Sequence, residues 1–423
     1  MKDYIPRLYD QVLKQRLLSK GAVLIEGPKW CGKTTTALQQ SNSVIYMQDP
    51  TTRSQNIRLA SIAPDVLLEG ETPTLIDEWQ IAPALWDAIR FEIDKRGNFG
   101  QFILTGSAVP ADLSEVYHSG TGRVSRMKMR TMSLYESGES NGGVSLSDLF
   151  DSKPLPVVKA EDSLVDLAFL TCRGGWPKAL NQSDDIALRQ AIDYVDAVAT
   201  IDISRVDNTK RNSQIAYALL RSYSRMISSQ GSYSSMREDL LQSGLTISEK
   251  TFLEYIEALQ QIFVVDDIPA WNPNLRSKTA IRTTPTRHFV DPSIGTASLG
   301  IGPNDLINDL NTFGLLFEDL CVRDLRVYAD VLDGEVCHYR DKTGLECDIV
   351  LRLRSGKYGL IEVKLGGDDL INDGAESLLD LSEKIDETKM NKPSFLMVLV
   401  GTGQFSYTRD DGVMVVPVRT LGV

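Results

Sequence analysis

The sequence predicts an α/β fold: a parallel sheet covered by helices, then a helical stretch, then a smaller α/β region at the C-terminal end. Three observations carry this reading. Over residues 1–143 the short apolar runs "AVLIEG", "SVIYMQ", "TLIDEW" and "QFILTGS" alternate with helix-patterned segments, the signature of a parallel sheet. The first of these runs leads directly into a glycine-framed loop, "GPKWCGKT", and then a helix. Beyond residue 300, "EVCHYRD", "LECDIVLRLR" and "YGLIEVKL" read as consecutive strands, followed by a long polar helix and the apolar run "FLMVLVG".

A chain of 423 residues exceeds what one hydrophobic core can organise. Four segments are expected: 1–143 as the sheet-based core, 144–210 as a helical lid or linker, 211–290 as a helical module ending in strands, and 291–423 as the C-terminal α/β region. The loop-like "ESGESNGG" marks the first boundary. Hydrophobic residues at 42% and charged residues at 24% are those of a globular protein. The net charge of -12 excludes a basic field over the whole molecule, so any nucleic-acid contact must rest on local basic patches. Cys31, Cys172, Cys321, Cys337 and Cys347 form no CxxC pair, which argues against a disulfide framework and a zinc site. His118, His288 and His338 show no metal-ligand spacing either. With neither an apolar signal region nor a run long enough to span a bilayer, a cytoplasmic chain without a membrane partner is expected.

The loop holds the clearest chemistry. Gly27, four residues (Pro28, Lys29, Trp30, Cys31) and Gly32-Lys33-Thr34 match G-x-x-x-x-G-K-[ST], between a strand and a helix as the motif requires. Its glycines let successive backbone N–H groups turn inward around phosphates, through Thr35 at the start of the helix. Lys33 is expected to meet the β- and γ-phosphates, and the Thr34 hydroxyl to ligate Mg²⁺. "TLIDEWQ" ends a buried strand in Asp77-Glu78; Asp77 can hold Mg²⁺ through water, and Glu78 can polarise the attacking water. "QFILTGS" ends in Thr105-Gly106-Ser107, and a small polar residue there, Thr105 being the candidate, can contact the γ-phosphate or that water. "SGTGRVSRMKMR" offers Arg123, Arg126 and Arg130; Arg123 is the candidate arginine finger, in cis or reaching a neighbouring subunit of a homo-oligomer.

The order GPKWCGKT, LIDEWQ, ILTGS, GTGR resembles the AAA-plus ATPases. It is most similar to the prokaryotic family that joins such a core to a C-terminal domain of unknown function, the 4143 group. "DEWQIAPALWDAIRFEID" and "GGWPKAL" resemble further elements of that family. The resemblance implies Mg²⁺-ATP binding by Lys33, Thr34 and Asp77, with Glu78 as catalytic base.

Residues 211–290 read as helix, helix, turn, helix, strand, the element order of a winged helix. Nine Lys/Arg stand against seven Asp/Glu there. The third helix carries Glu249, Glu254 and Glu257 against Lys250, a poor match to phosphates. The basic residues cluster in "NLRSKTAIRTTPTRH", so that segment is the better DNA contact; a protein-docking module is the alternative.

In the C-terminal region, the side-chain period of two puts Glu346 and Asp348 on one face, and Glu362 and Lys364 on one face, with Ser355-Gly356 turning one strand into the next. Asp348 and Glu362 can hold Mg²⁺, Lys364 can stabilise developing phosphate charge, and Glu318 from the preceding helix can complete the site. A charge ladder on an ordinary solvent-facing sheet is the alternative. The pattern of a helix Glu, a strand Asp and then E-x-K resembles the PD-(D/E)XK nuclease superfamily at Glu318, Asp348, Glu362 and Lys364, implying a restriction-endonuclease-like domain. Together these readings describe a Mg²⁺-ATP-dependent ATPase coupled to a DNA-binding, nuclease-like C-terminal half. The alternatives are an ATP-gated regulatory switch with an inactive nuclease-like domain, and a motor acting on protein partners.

Overall fold

The computed structural model describes residues 4–107, 120–161, 163–207, 209–276, 278 and 280–423; His118 lies outside them. The chain forms two compact units from non-contiguous segments: Met1–Thr131, Ala197–Ser213 and Leu253–Val264 in the first, and Met132–Asp196, Gln214–Phe252 and Val265–Val423 in the second.

The first unit is built on β1 (Ala22–Glu26), β2 (Ser43–Tyr46), β3 (Thr74–Asp77), β4 (Phe102–Gly106) and β5 (Val124–Lys128). Their order is β2-β3-β4-β1-β5, and every pairing is parallel. The central strands β1, β3 and β4 are buried at almost every position. That explains why their sequences read as continuous apolar runs rather than alternating ones. Parallel neighbours need crossover connections. The helix Leu85–Arg96 supplies one, burying Leu85, Trp86, Ile89 and Ile93 in a cluster with Leu24, Ile76, Phe102 and Leu104. It stops at Gly97, whose φ of 70° closes the last turn. The strand order brings the C-terminal ends of β1, β3 and β4 side by side, the usual position for a ligand in an open α/β sheet.

In the second unit, β7 (Gly334–Arg340), β8 (Glu346–Leu353), β9 (Tyr358–Lys364), β10 (Phe395–Val400), β11 (Tyr407–Thr408) and β12 (Met414–Pro417) form a mixed sheet of order β11-β12-β10-β9-β8-β7. The first three are an antiparallel meander, whereas β10 runs parallel to β9 and β12. The helix Leu310–Val331 packs on β7, β8 and β9, and the helix Asp368–Lys384 on β8, β9 and β10. The latter helix buries Ile371, Ala375, Leu378 and Leu381 among Tyr339, Tyr358, Leu360 and Val398. A separate two-stranded pair joins β6 (Val144–Ser145) to β13 (Leu421–Gly422). The β8–β9 hairpin forms with three residues, 354–356, between Leu353 and Lys357, whose N–H and C=O pair at 2.9 Å. The expected two-residue turn is thus one residue longer, with Gly356 at φ 87°.

"GGWPKAL" proves to be a close backbone crossing within this unit. Gly175 accepts from the Met132 N–H at 2.7 Å, and a Cβ on Gly175 would lie 2.0 Å from the Met132 oxygen. Its own N–H donates to Asp291 at 2.8 Å, and the buried Trp176 indole donates to Ser293 at 2.9 Å.

Two expectations need correction. The described residues of 151–163, expected to be helical, hold no helix; Pro154 and Pro156 lack the N–H a helix needs, and Lys159 bridges to Phe405 instead. The three helices of the middle region are present as Ser213–Arg225, Tyr233–Gln242 and Glu249–Gln261. The strand expected at "FVVDDIPAW" forms only isolated bridges, Val265 to Phe289, Ile268 to Thr286 and Ala270 to His338. Pro269 and Pro285 remove ladder donors on both sides of that ribbon.

Candidate functional site

At the C-terminal end of β1 the chain enters the loop Gly27–Gly32 and then the helix Lys33–Leu38. Gly27 has φ 149°, and a Cβ there would lie 2.1 Å from the Met129 oxygen, so the close approach of loop and strand requires glycine. Gly32 takes φ 102°. The buried Lys33 ammonium donates to the Gly27 and Pro28 carbonyls at 2.9 and 2.7 Å. Cys31 is buried beneath the loop, Trp30 is partly exposed, and Thr35 lies on the exposed side of the helix. Arg7, unnoticed in the sequence, donates to the Cys31 carbonyl at 2.7 Å and to the Arg130 carbonyl at 3.0 Å, clamping the loop to the end of the sheet. No local motif marks it; its role comes from a partner 24 residues away.

Asp77 is 2% exposed, and one carboxylate oxygen accepts from the hydroxyls of Thr34 at 2.6 Å and Thr105 at 2.7 Å. Three residues chosen from three separate sequence segments therefore share one hydrogen-bond node. A buried carboxylate without such partners would be strongly destabilising. Glu78 follows in the left-handed region at φ 57°, which turns its side chain away from the strand direction. Its carboxylate accepts from Gln80 and, at 3.4 Å, from Ser107. Gln80 is a further residue that the motif reading did not single out. The all-oxygen pair of Thr34 and Asp77, beside the phosphate loop, has the donor chemistry that Mg²⁺ prefers.

The arginines lie elsewhere than expected. Arg123 stands at the N-terminal end of the sheet, where its carbonyl accepts from Ala22 N–H at 3.1 Å. Its guanidinium pairs with Asp94 at 2.9 Å. The five-residue strand β1 separates it from the loop by roughly 16 Å. The finger in cis is thereby corrected: Arg123 does not face its own loop. Arg126 pairs with Glu26 at 2.8 Å. Arg130, buried, stands past the level at which Lys128 pairs with Glu26, at the loop end of the sheet. Lys29, in the loop, forms an ion pair of 2.5 Å with Asp202 in the π-helix Val198–Asp202. A single π turn shifts a side chain out of helical register and is frequent at functional sites.

In the second unit, Asp348, Glu362 and Lys364 meet as the hairpin allows. The register pairing Ile349 with Ile361 sets Asp348 opposite Glu362. Lys364 Nζ lies 2.6 Å from Glu362 and 3.5 Å from Asp348. Asp348 also accepts from the Val363 N–H at 2.9 Å. Glu346 turns to Arg340 at 3.4 Å instead. Glu318, Asp348 and Lys364 line one cavity of about 400 Å³, with His338 and Ser228 to Gln230 on other walls. Burial, and then the charge of Asp348, push the Glu318 carboxyl well above its ordinary range. The same two causes raise Glu362 to about 8, against the opposing pull of Lys364. Burial opposes charging Lys364, but Asp348 and Glu362 outweigh it and raise its pKa.

A metal is a poor fit to this second cluster as it stands. Among the described residues no group of three or more His, Cys, Asp or Glu side chains is arranged to hold a metal ion. The Lys364 ammonium sits between Asp348 and Glu362, the two expected ligands. Lys364 thus joins Asp348 and Glu362 directly, while Glu318 lines the same cavity.

Two outcomes follow from these geometries. Asp202→Asn releases Lys29 to nucleotide phosphates, so ATP affinity, measured by calorimetry, should tighten by about tenfold, the scale of one charge-assisted hydrogen bond. An unchanged Kd would show that the ion pair does not compete with nucleotide. Glu362 has a folded-state pKa raised from 4.5 to about 8, so its contribution to stability is full below 4.5 and is lost as pH rises through about 8. Urea midpoints should fall from about pH 5 to about pH 9, and the fall should be shallower in Glu362→Gln. An equal slope in both proteins would contradict the raised carboxyl.

Residues 19–138 match the model of the AAA domain, residues 164–305 that of a domain of unknown function (DUF8612), and residues 313–421 that of a domain of unknown function (DUF4143). Two uncharacterised proteins, from Mycobacterium bovis and Mycobacterium tuberculosis, are each 23% identical to the chain over 357 residues, covering 83% of it and 72% of the relative. The Walker-type ATPase PABY2304 of Pyrococcus abyssi is similar at 14% identity with a TM-score of 0.44, over 70% of this chain and 96% of that one. The chain carries an AAA-type P-loop ATPase core and a C-terminal DUF4143 domain built on a mixed sheet.

Proposed function

We propose that the chain is a Mg²⁺-dependent ATP hydrolase whose nucleotide state governs a nuclease-like, DNA-binding C-terminal half. The observation that carries the hydrolase is the node at Asp77, where the Thr34 and Thr105 hydroxyls meet on one carboxylate beside the phosphate loop. Lys33, released from the Gly27 and Pro28 carbonyls, would bind the β- and γ-phosphates. Thr34 and Asp77 would hold Mg²⁺, which when bound neutralises charge on the phosphate oxygens. Glu78, oriented by Gln80 and Ser107, would accept a proton from the attacking water. Thr105 keeps Asp77 oriented. Arg123 is retained only as a finger in trans, in a homo-oligomer.

The family matches at 19–138, 164–305 and 313–421 support a sequential division into core, middle and C-terminal segments. Three helices and a bridged ribbon over 211–290 support a winged-helix reading of the middle segment. DNA would be met through the basic segment that includes Arg276, Lys278 and Arg282. The helix Leu310–Val331, three antiparallel strands, the helix Asp368–Lys384 and the parallel β10 support a restriction-endonuclease-like reading of the C-terminal one.

A second reading, an ATP-gated switch with an inactive nuclease-like domain, is favoured by the placement of Lys364 between Asp348 and Glu362. Such a domain would recognise its partner without cutting.

Lys33→Ala and Asp77→Ala should each reduce steady-state ATP hydrolysis by at least about a hundredfold, measured by phosphate release. Unchanged turnover in both would remove the hydrolase assignment. Asp348→Ala and Lys364→Ala separate the two readings: if the native chain nicks supercoiled or branched DNA with Mg²⁺ or Mn²⁺, both variants should abolish it. Absence of nicking by the native chain, with and without ATP, selects the switch.

A further inference from the structure

The second unit holds a cavity of about 610 Å³, within the size range of small-molecule sites, well away in sequence from both clusters described above. Its walls come from the helices Asp184–Ala197, Ser213–Arg225 and Tyr233–Gln242, with Ala297 and Ser298 from the helix Pro292–Leu299. The helix Ser213–Arg225 presents Tyr217, Arg221 and Arg225 at four-residue spacing, so all three side chains face the cavity from one stripe.

The charges in this cavity are unequally matched. Asp239 accepts from Ser222 at 2.8 Å and pairs with Arg225 at 3.3 Å. Asp196 accepts from the Tyr217 hydroxyl at 2.8 Å. Both acids therefore have partners. Arg221 has neither an ion pair nor a hydrogen bond to any described residue. Two aspartates and two arginines line the cavity, and of these four Arg221 alone has a side chain without a direct partner among the described residues, a guanidinium fork suited to carboxylate or phosphate. A second, independent feature points the same way. The Ser298 hydroxyl is buried, lines the cavity and has no hydrogen-bond partner. An unpaired buried hydroxyl costs free energy that a bound polar group recovers. Ile192, Val195 and Ala297 add apolar surface.

We propose that this cavity is a binding site for a small organic anion, separate from the ATP site. Arg221 holds the anionic head group, Ser298 supplies a further hydrogen bond, and Ile192 and Val195 cover an apolar body. The shared chemistry is a carboxylate or phosphate monoester on a compact, partly apolar molecule.

The test uses the 423-residue chain carrying Lys33→Ala, which weakens phosphate binding at the ATP site. Phenyl phosphate and benzoate are titrated separately by calorimetry or ligand-observed NMR. At least one should bind saturably, with a Kd of about 1 mM or tighter, and the preferred probe identifies the head group as phosphate or carboxylate. Arg221→Ala and Arg221→Gln should each weaken that binding about tenfold or more, while Arg189→Ala, which loses only its surface ion pair with Asp193, should not. Arg221 is exposed, so its replacement leaves no gap in the core. Failure of both probes to saturate, or equal affinity in the Arg221 variants, overturns the proposal. Because ATP turnover is not the readout, the hydrolase reading stands or falls separately.

Discussion

The carboxylate of Asp77 is the constraint on which the first unit turns. It is buried at the end of β3, so its charge must be met by donors, and the donors come from the loop helix through Thr34 and from β4 through Thr105. One buried charge thereby sets the helix after the phosphate loop against two strands. Arg7 does the complementary work on the other side, holding the Cys31 and Arg130 carbonyls. The loop is fixed at both flanks while Gly27 keeps the backbone close to Met129. Such preorganisation lets a charged substrate be received without rebuilding the site.

The second unit concentrates charge differently. Glu318, Asp348 and Glu362 are brought near one another, and burial and the charge of Asp348 raise the cost of ionising Glu318 and Glu362. Lys364 compensates two of them. A lysine inside a carboxylate cluster holds the group together at neutral pH, but it also occupies the position that a cation would need. The chemistry open to this cluster is governed by where that one ammonium sits.

Much of this was legible in the sequence because it is local. The phosphate loop and its helix occupy a contiguous stretch, and the strands β1, β3 and β4 announce themselves by continuous apolar runs. The period of two along β8 and β9 sufficed to put Asp348 and Glu362 on facing positions. The misreadings are also physical. The segment 151–163 carried apolar residues, but its prolines removed the donors that a helix uses. Arg123 sits in an arginine-bearing stretch, yet only the pairing of β5 with β1 reveals which end of the sheet each arginine occupies.

The sequence by itself determined the phosphate loop, the acidic strand end and the alternation that builds a parallel sheet, because each depends on neighbours within a few residues. Only the tertiary structure decided that Arg7 clamps the loop, that Lys29 faces Asp202, that Arg123 faces away, and that Lys364 lies between the carboxylates. Apart from the Lys364–Glu362 pair, these join a charged side chain to a partner well removed along the chain. A charged side chain takes whichever opposite charge the fold brings within reach, and periodicity along one segment carries no record of that partner.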